Sequence, residues 1–292
     1  MLKRSASADI LPGLIRERIL VLDGAMGTMI QRLNLDEAAV RGPRFADHKK
    51  DLVRFSDILC LTHPDSISDI HLAYLEAGAD IVETNTFGAS PIGMFEFDLS
   101  TELVREINFA AVECARKAID VIAKKSSRPR FIAGSIGPTT MQTAISTRVD
   151  VAAYRPVTYT QMKDSYKAQV AALVEAGVDI LLPETAIDTL NLKACLFAIT
   201  EYFEETGAKV PVMVSGTFDK GGRTFVSGQS LEAFWNALSH FPLLTIGMNC
   251  ALGPDIMRPH LEELSRVSGV PLSCHPNAGL PNEMGKIGRA HV

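Results

Sequence analysis

Short apolar runs bounded by Gly, Pro or Asp recur along the chain, at residues 19–22, 81–83, 131–134, 180–182, 212–215, 244–248 and 270–274. Runs of this length and composition predict buried parallel strands. Between them, apolar residues fall three and four apart over 65–77, 101–123, 159–175, 189–205, 230–239 and 254–268. That spacing predicts amphipathic helices. The segment 31–61 stands outside the alternation and reads as an elaborated loop with a short helix near 35–40. Loops of that size usually cover or complete a site.

One unit repeats. Leu75-Glu76-Ala77-Gly78-Ala79-Asp80-Ile81-Val82-Glu83-Thr84 is echoed by Val174-Glu175-Ala176-Gly177-Val178-Asp179-Ile180-Leu181, with Glu184-Thr185 shortly after. In each copy Gly is placed to end a helix, Asp sits in the tight turn, and the strand exits on Glu-Thr. Repetition of one βα unit predicts an α/β fold, a (βα)8 TIM-type barrel. The polar strand exits Asp23, Glu83-Thr84-Asn85, Ser135, Glu184-Thr185, Ser215 to Thr217 and Asn249-Cys250 would then share the active-site face. Seven strands are visible where a closed barrel needs eight, so the barrel is expected to be truncated before the eighth.

Composition narrows the function. A 47% hydrophobic content supports a large core, and 29 basic against 34 acidic residues leave a net charge of −5 without the basic patch a nucleic-acid partner needs. Lys49-Lys50 and Lys124-Lys125 are too short for one and read as solvated surface. No stretch has the apolar length of a membrane span, and residues 1–12 lack the apolar core of a secretory signal. Five scattered cysteines argue against a disulfide framework, so a cytoplasmic location is expected, with Cys60, Cys114 and Cys195 as buried thiols.

Gly247-Met248-Asn249-Cys250-Ala251-Leu252-Gly253-Pro254 is the sharpest local signal. A cysteine leaves a strand end just before a Pro-initiated helix, whose N–H groups and dipole favour thiolate. Such a thiolate is a nucleophile or a soft metal ligand, although a packed strand-end thiol accounts for the spacing equally well. Cys274-His275 is its obvious companion for zinc, but neighbours on a strand point to opposite faces. A core thiol and a loop imidazole explain that pair more simply. Asp23-Gly24-Ala25-Met26-Gly27-Thr28 has neither a dinucleotide fingerprint nor the Lys of a phosphate loop. Its Asp suits an ammonium group, or else caps a tight turn. Glu83 and Glu184 occupy equivalent places in the repeat, which leaves a paired-carboxylate glycosidase conceivable.

Taken in order, Asp23 to Thr28, Glu83-Thr84-Asn85-Thr86-Phe87, Gly134 to Pro138, Glu184-Thr185, Ser215 to Phe218 and Gly247 to Cys250 resemble the homocysteine S-methyltransferase family from about Ile19 to about Gly285. Within it, the long insert through Phe45, Pro64-Asp65-Ser66-Ile67 and the run Cys274 to Asn282 are similar to the homocysteine-binding domain of cobalamin-dependent methionine synthases. The resemblance implies a zinc ion held by three cysteine thiolates, with Cys250 as one metal ligand and catalytic residue. It also implies a homocysteine site in which Glu184 and the Asp23-Gly24 loop grip the amino-acid end and Asn249 helps position the parts. Methyl transfer from methylcobalamin to the homocysteine thiolate would yield methionine. Cobalamin-binding and folate-binding modules would lie elsewhere in a parent chain. Neither nucleic acid nor membrane is an expected partner. A cobalamin-independent enzyme using S-methylmethionine or betaine is the alternative, and a non-catalytic binding module a third reading. Cys274-His275 is not a ligand pair in the family pattern.

The family's two remaining thiolates form a Cys-Cys pair after the eighth strand, and no such pair occurs in the sequence. Ile287-Gly288-Arg289-Ala290-His291-Val292 departs from the family and matches the translation of a sequencing-library adapter. The expected organisation is therefore an N-terminal extension (1–18), an incomplete homocysteine-binding barrel (19–285) and a non-native tail (286–292). The polypeptide alone is expected to lack activity, with full transfer belonging to its parent.

Overall fold

Six of the seven apolar runs become strands, paired with their neighbours in chain order. β1 (Ile81–Glu83), β2 (Phe131–Ile136) and β3 (Ile180–Pro183) form one parallel sheet; β4 (Met213–Gly216), β5 (Thr245–Asn249) and β6 (Leu272–His275) form a second. Parallel bridges Leu181–Val212 and Ala186–Gly216 join the sheets, and Leu22–Ile81 adds a segment before β1. The computed structural model describes residues 8–278, so the expected tail at 286–292 lies outside the described residues. The architecture is α/β with parallel strands in chain order. Among the described residues no bridge joins β6 back to the Leu22 segment.

The run 19–22 is the one that differs from expectation, being reduced to a single bridge at Leu22. The Val21 carbonyl accepts the N–H groups of Asp80 and Ile81, and Asp23 N–H donates to Ile81 O. Ile19 and Val21 are 89% and 50% exposed, so this segment is paired and covered from the β1 side only.

The helices follow the expected spacing. α1 (Leu11–Glu17), α2 (Met26–Arg32), α3 (Glu37–Arg41), α4 (Leu59–Thr62) and α5 (Pro64–Glu76) precede β1. α6 (Pro91–Phe95) and α7 (Leu103–Ala123) lie between β1 and β2. α8 (Tyr159–Ala176), α9 (Thr189–Thr206), α10 (Leu231–Leu238) and α11 (Pro254–Val267) each follow a strand. Their ends are set by local chemistry: a Thr158/Gln161 capping box starts α8, Asp188 caps α9, and Gly177 in the left-handed region ends α8. None of the described helices is long and apolar enough to cross a membrane.

Strand residues alternate between two cores, as a period of two demands. Ile81, Phe131, Ala133, Ile180, Leu182 and Met213 share one face with Leu11 of α1. Val82, Ile132, Leu181, Val214 and Ile246 share the other with the helices. A third cluster, including Val40, Leu52, Phe55 and Ile58, anchors the 31–61 insert against α5 and α7.

The repeated unit has a mechanical basis. Asp80 N–H donates to Val21 O and its Oδ2 accepts Val21 N–H at 2.9 Å. Asp179 N–H likewise donates to Ile132 O, and its Oδ2 accepts Ile132 N–H at 2.9 Å. Each Asp therefore clamps one residue of the preceding strand at both hydrogen-bonding groups and sets the register of the strand it introduces.

Candidate active site

The C-terminal ends of the strands open into a cavity of about 710 Å³. Asp23, Gly24, Glu184, Asn249 and Cys250, the five residues expected from the sequence, all line it. The insert contributes Arg54, Phe55, Ser56 and Asp57, in keeping with a loop that completes a site.

A chain of buried hydroxyls and amides connects the exits of β1, β2, β3 and β5. Thr86 Oγ1 donates to Ser135 O at 2.7 Å, and Ser135 N–H donates to Thr84 Oγ1 at 3.1 Å. Ser135 Oγ donates to Glu184 Oε1, and Thr185 Oγ1 reaches Glu184 Oε2 at 3.5 Å. Asn249 then spans from the Glu184 turn to the cysteine. Its Oδ1 accepts Thr185 N–H at 3.0 Å and Ser215 Oγ at 2.9 Å. Its Nδ2 donates to Thr185 Oγ1 at 2.6 Å and approaches Cys250 Sγ at 3.6 Å. Thr217 Oγ1 lies 3.3 Å from the same sulfur.

Backbone strain is concentrated at these exits. Thr185, Cys250 and Ala251 adopt φ of 58°, 48° and 60°, in the left-handed region. Non-glycine residues there persist only when their surroundings hold them. Cys250 N–H donates to His275 O at 2.8 Å, and Leu252 N–H donates to Cys250 O at 2.7 Å, which fixes the turn.

That turn corrects the expectation of a helix-stabilised thiolate. The helix α11 begins at Pro254 with Gly253 as its cap, beyond the cysteine rather than beneath it. Burial raises the Cys250 thiol above its ordinary pKa, and the Thr217 hydroxyl only partly offsets this.

Three carboxyl groups meet in the cavity. Asp23 Oδ2 accepts Glu83 N–H at 3.0 Å. Burial pushes Asp23 up to about 8, helped by the Glu184 charge and opposed by the Glu83 N–H. Burial raises Glu83 well above the carboxylate range, and the charges of Glu184 and Asp23 add to this. Glu184 is raised by burial and partly relieved by Ser135 and Thr185. With such mutual repulsion the three do not all ionise in the free protein. Asp23 Oδ1 and Glu83 Oε1 are buried without a hydrogen-bond partner. Unsatisfied carboxylate oxygens beside one another make a receptor for a cation with several N–H donors.

The Cys274-His275 pair divides as alternation on a strand requires. Cys274 lies at the cavity's edge with its Sγ against Met257 of α11 at 3.4 Å. His275 turns inward, its Nδ1 3.4 Å from Glu83 Oε1, and neither Glu83 Oε1 nor His275 Nε2 has a hydrogen-bond partner. Among the described residues no three His, Cys, Asp or Glu side chains are arranged to hold a metal ion. Cys250 therefore stands as a single soft ligand, which does not by itself fit a zinc site. The other expected thiols, Cys60, Cys114 and Cys195, are buried and free.

Glu83, placed by the sequence at a strand exit and in a conceivable carboxylate pair with Glu184, lines the same cavity. Thr217 was visible only as part of a small-residue strand exit. Asp57, fully enclosed and pushed up to about 7 by burial, gave no signal because it lies in the irregular insert. Its Oδ1 accepts Gly88 N–H at 2.8 Å and holds the loop that carries Phe87 over the cavity.

The fold is similar to that of the homocysteine methyltransferase MmuM from Escherichia coli. Its metallated form matches with a TM-score of 0.73 at 22% identity, over 92% of this chain and 87% of that one. The oxidized form matches with a TM-score of 0.72 at 23% identity, over 92% and 85%. The apo form matches with a TM-score of 0.67 at 22% identity, over 92% and 86%. The family model of homocysteine S-methyltransferase matches residues 20–291. With motifs, strand order and family model in agreement, the chain belongs to the homocysteine S-methyltransferase family.

Proposed function

We propose that the cavity binds homocysteine, with its ammonium group at the Asp23 and Glu184 end and its sulfur toward Cys250. The observation that carries this reading is Asn249, which hydrogen-bonds the turn bearing Glu184 and contacts the Cys250 sulfur within one cavity. The spacing of an acidic receptor and a soft sulfur ligand suits an amino acid with a terminal thiol. Exclusion of water strengthens the pairing of the ammonium with the carboxylates.

In this reading the homocysteine sulfur, as thiolate, forms a bond to the methyl carbon of the donor while the donor's bond to that carbon breaks, giving methionine. Methylcobalamin is the proposed donor, carried by a separate module of a cobalamin-dependent methionine synthase. The support is the insert, the Pro64 to Ile67 run and the sequence from Cys274 to Asn282. Zinc enters through Cys250 only. A zinc site of three thiolates would need two more beside Cys250. The complete barrel, zinc chemistry and a cytoplasmic setting belong to the same proposal.

Calorimetric titration with L-homocysteine tests it. Saturable binding that weakens about tenfold or more in Glu184→Gln is expected, because a negative charge facing the ammonium group is lost. Absence of binding to the unaltered chain would contradict the proposal. In protein supplied with the two further thiolates, methionine should form from methylcobalamin; formation from S-methylmethionine or betaine alone would move the assignment to the cobalamin-independent branch.

A further inference from the structure

We infer that Glu83 is a substrate-binding and specificity-determining residue, which reads the ammonium group of the amino-acid thiol together with Asp23. The inference rests on the homocysteine reading above and adds a residue to which that reading gave no role.

The argument begins with the acceptors already in use. Both Glu184 oxygens are engaged, Oε1 by Ser135 Oγ and Oε2 by Thr185 Oγ1. On Asp23, Oδ2 holds Glu83 N–H, which leaves Oδ1 free. On Glu83, Oε1 is shielded from solvent and unpartnered, although His275 Nδ1 stands 3.4 Å away. The buried carboxyl oxygens of the cavity that have no hydrogen-bond partner are therefore Asp23 Oδ1 and Glu83 Oε1, whereas each Glu184 oxygen already has one. Because Glu83 N–H itself orients the Asp23 carboxyl, the two groups are held as one unit at the β1 edge.

An ammonium group supplies three donors and one positive charge. Placed between Asp23 Oδ1 and Glu83 Oε1, it satisfies both orphaned oxygens and relieves the repulsion within the carboxyl cluster. A thiol acid of the same length without the amino group leaves them unsatisfied. Discrimination of that kind is strong when buried polar groups would be left unpaired. His275, with its carbonyl on Cys250 N–H and its ring against Glu83, ties the thiol turn to this acceptor.

The test compares L-homocysteine with 4-sulfanylbutanoate by calorimetric titration of the unaltered chain, Glu83→Gln and Glu83→Asp, each checked by thermal melting. Glu83→Gln should weaken L-homocysteine about tenfold or more and leave 4-sulfanylbutanoate nearly unchanged. Glu83→Asp keeps the charge but withdraws it, so an intermediate loss confined to L-homocysteine is expected. Equal weakening of both ligands, or unchanged L-homocysteine affinity, would overturn the role of Glu83 and leave the homocysteine reading standing. Failure of the unaltered chain to bind either ligand would overturn both.

Discussion

Asn249 and Thr185 exchange two hydrogen bonds across the strand exits, from Thr185 N–H to Asn249 Oδ1 at 3.0 Å and from Asn249 Nδ2 to Thr185 Oγ1 at 2.6 Å. Thr185 is held at a φ of 58° by this exchange, and the next residue back is Glu184. Replacing Asn249 with Ala strands Thr185 N–H and Ser215 Oγ, which should cost about 1–3 kcal/mol of stability. It should also free the Glu184 turn, so homocysteine affinity falls with the melting temperature. Chemical denaturation and titration of Asn249→Ala check both; an unchanged affinity would show that Glu184 does not depend on this amide.

Gly24 is required for a steric reason. A Cβ there would lie 2.7 Å from Tyr74 Cε1 and 2.9 Å from its hydroxyl. Gly24→Ala should push the ring or the loop aside and weaken homocysteine binding about tenfold, the equivalent of a ~1.4 kcal/mol displacement. The double variant Gly24→Ala/Tyr74→Ala should recover most of the loss. Without recovery, the glycine would be serving the ligand approach rather than the Tyr74 contact.

The clamp that starts β1 is an ion-pair cluster. Arg18 forks onto fully buried Asp80 through two contacts of 2.8 Å, and Arg128 adds another at 2.8 Å. Asp80 is held below its ordinary pKa against the burial that opposes this, by Arg18, by Val21 N–H and by Arg128. Asp80→Ala leaves the guanidinium groups without their shared acceptor and frees Val21 N–H. A loss of about 3 kcal/mol is expected. Denaturant titration measures it, and a loss below about 1 kcal/mol would place the clamp outside the folding core.

His71 gives the stability a defined acid dependence. The ring is fully buried, both nitrogens lack partners, and burial lowers its pKa to about 4 from the ordinary 6.5. Between those values the unfolded chain binds the proton and the folded chain does not. The contribution is therefore present above pH 6.5 and is lost as pH falls toward 4, by about 3 kcal/mol over the window. The raised carboxyls Asp23 and Asp57 act in the opposite sense, losing stability as pH rises. The difference between the unaltered chain and His71→Leu isolates the histidine. That difference should change with pH between 6.5 and 4; a constant difference would contradict the buried neutral ring.

Much of this was legible before any coordinates. The period of two in the strands and the Gly-x-Asp turns of the repeat are local signals, and local chemistry fixes them wherever the chain is folded. The residues Asp23, Glu184, Asn249 and Cys250 were visible because each sits at a strand exit, and exits converge on one face. What stayed hidden was orientation. Adjacent Cys274 and His275 looked equivalent in the sequence, yet one faces Met257 and the other Glu83. The raised thiol of Cys250 was hidden because burial outweighs the helix start at Pro254, and burial is set by tertiary packing rather than by spacing. Asp57 was invisible because the insert has no periodicity to read.

The most direct test of the homocysteine site is a crystal structure of the chain soaked with L-homocysteine. The account predicts the ammonium within hydrogen-bonding distance of the Asp23 and Glu83 carboxyls, on the Glu184 side of the cavity, with the sulfur directed to Cys250. A ligand bound in the reverse sense, or outside this cavity, would contradict it.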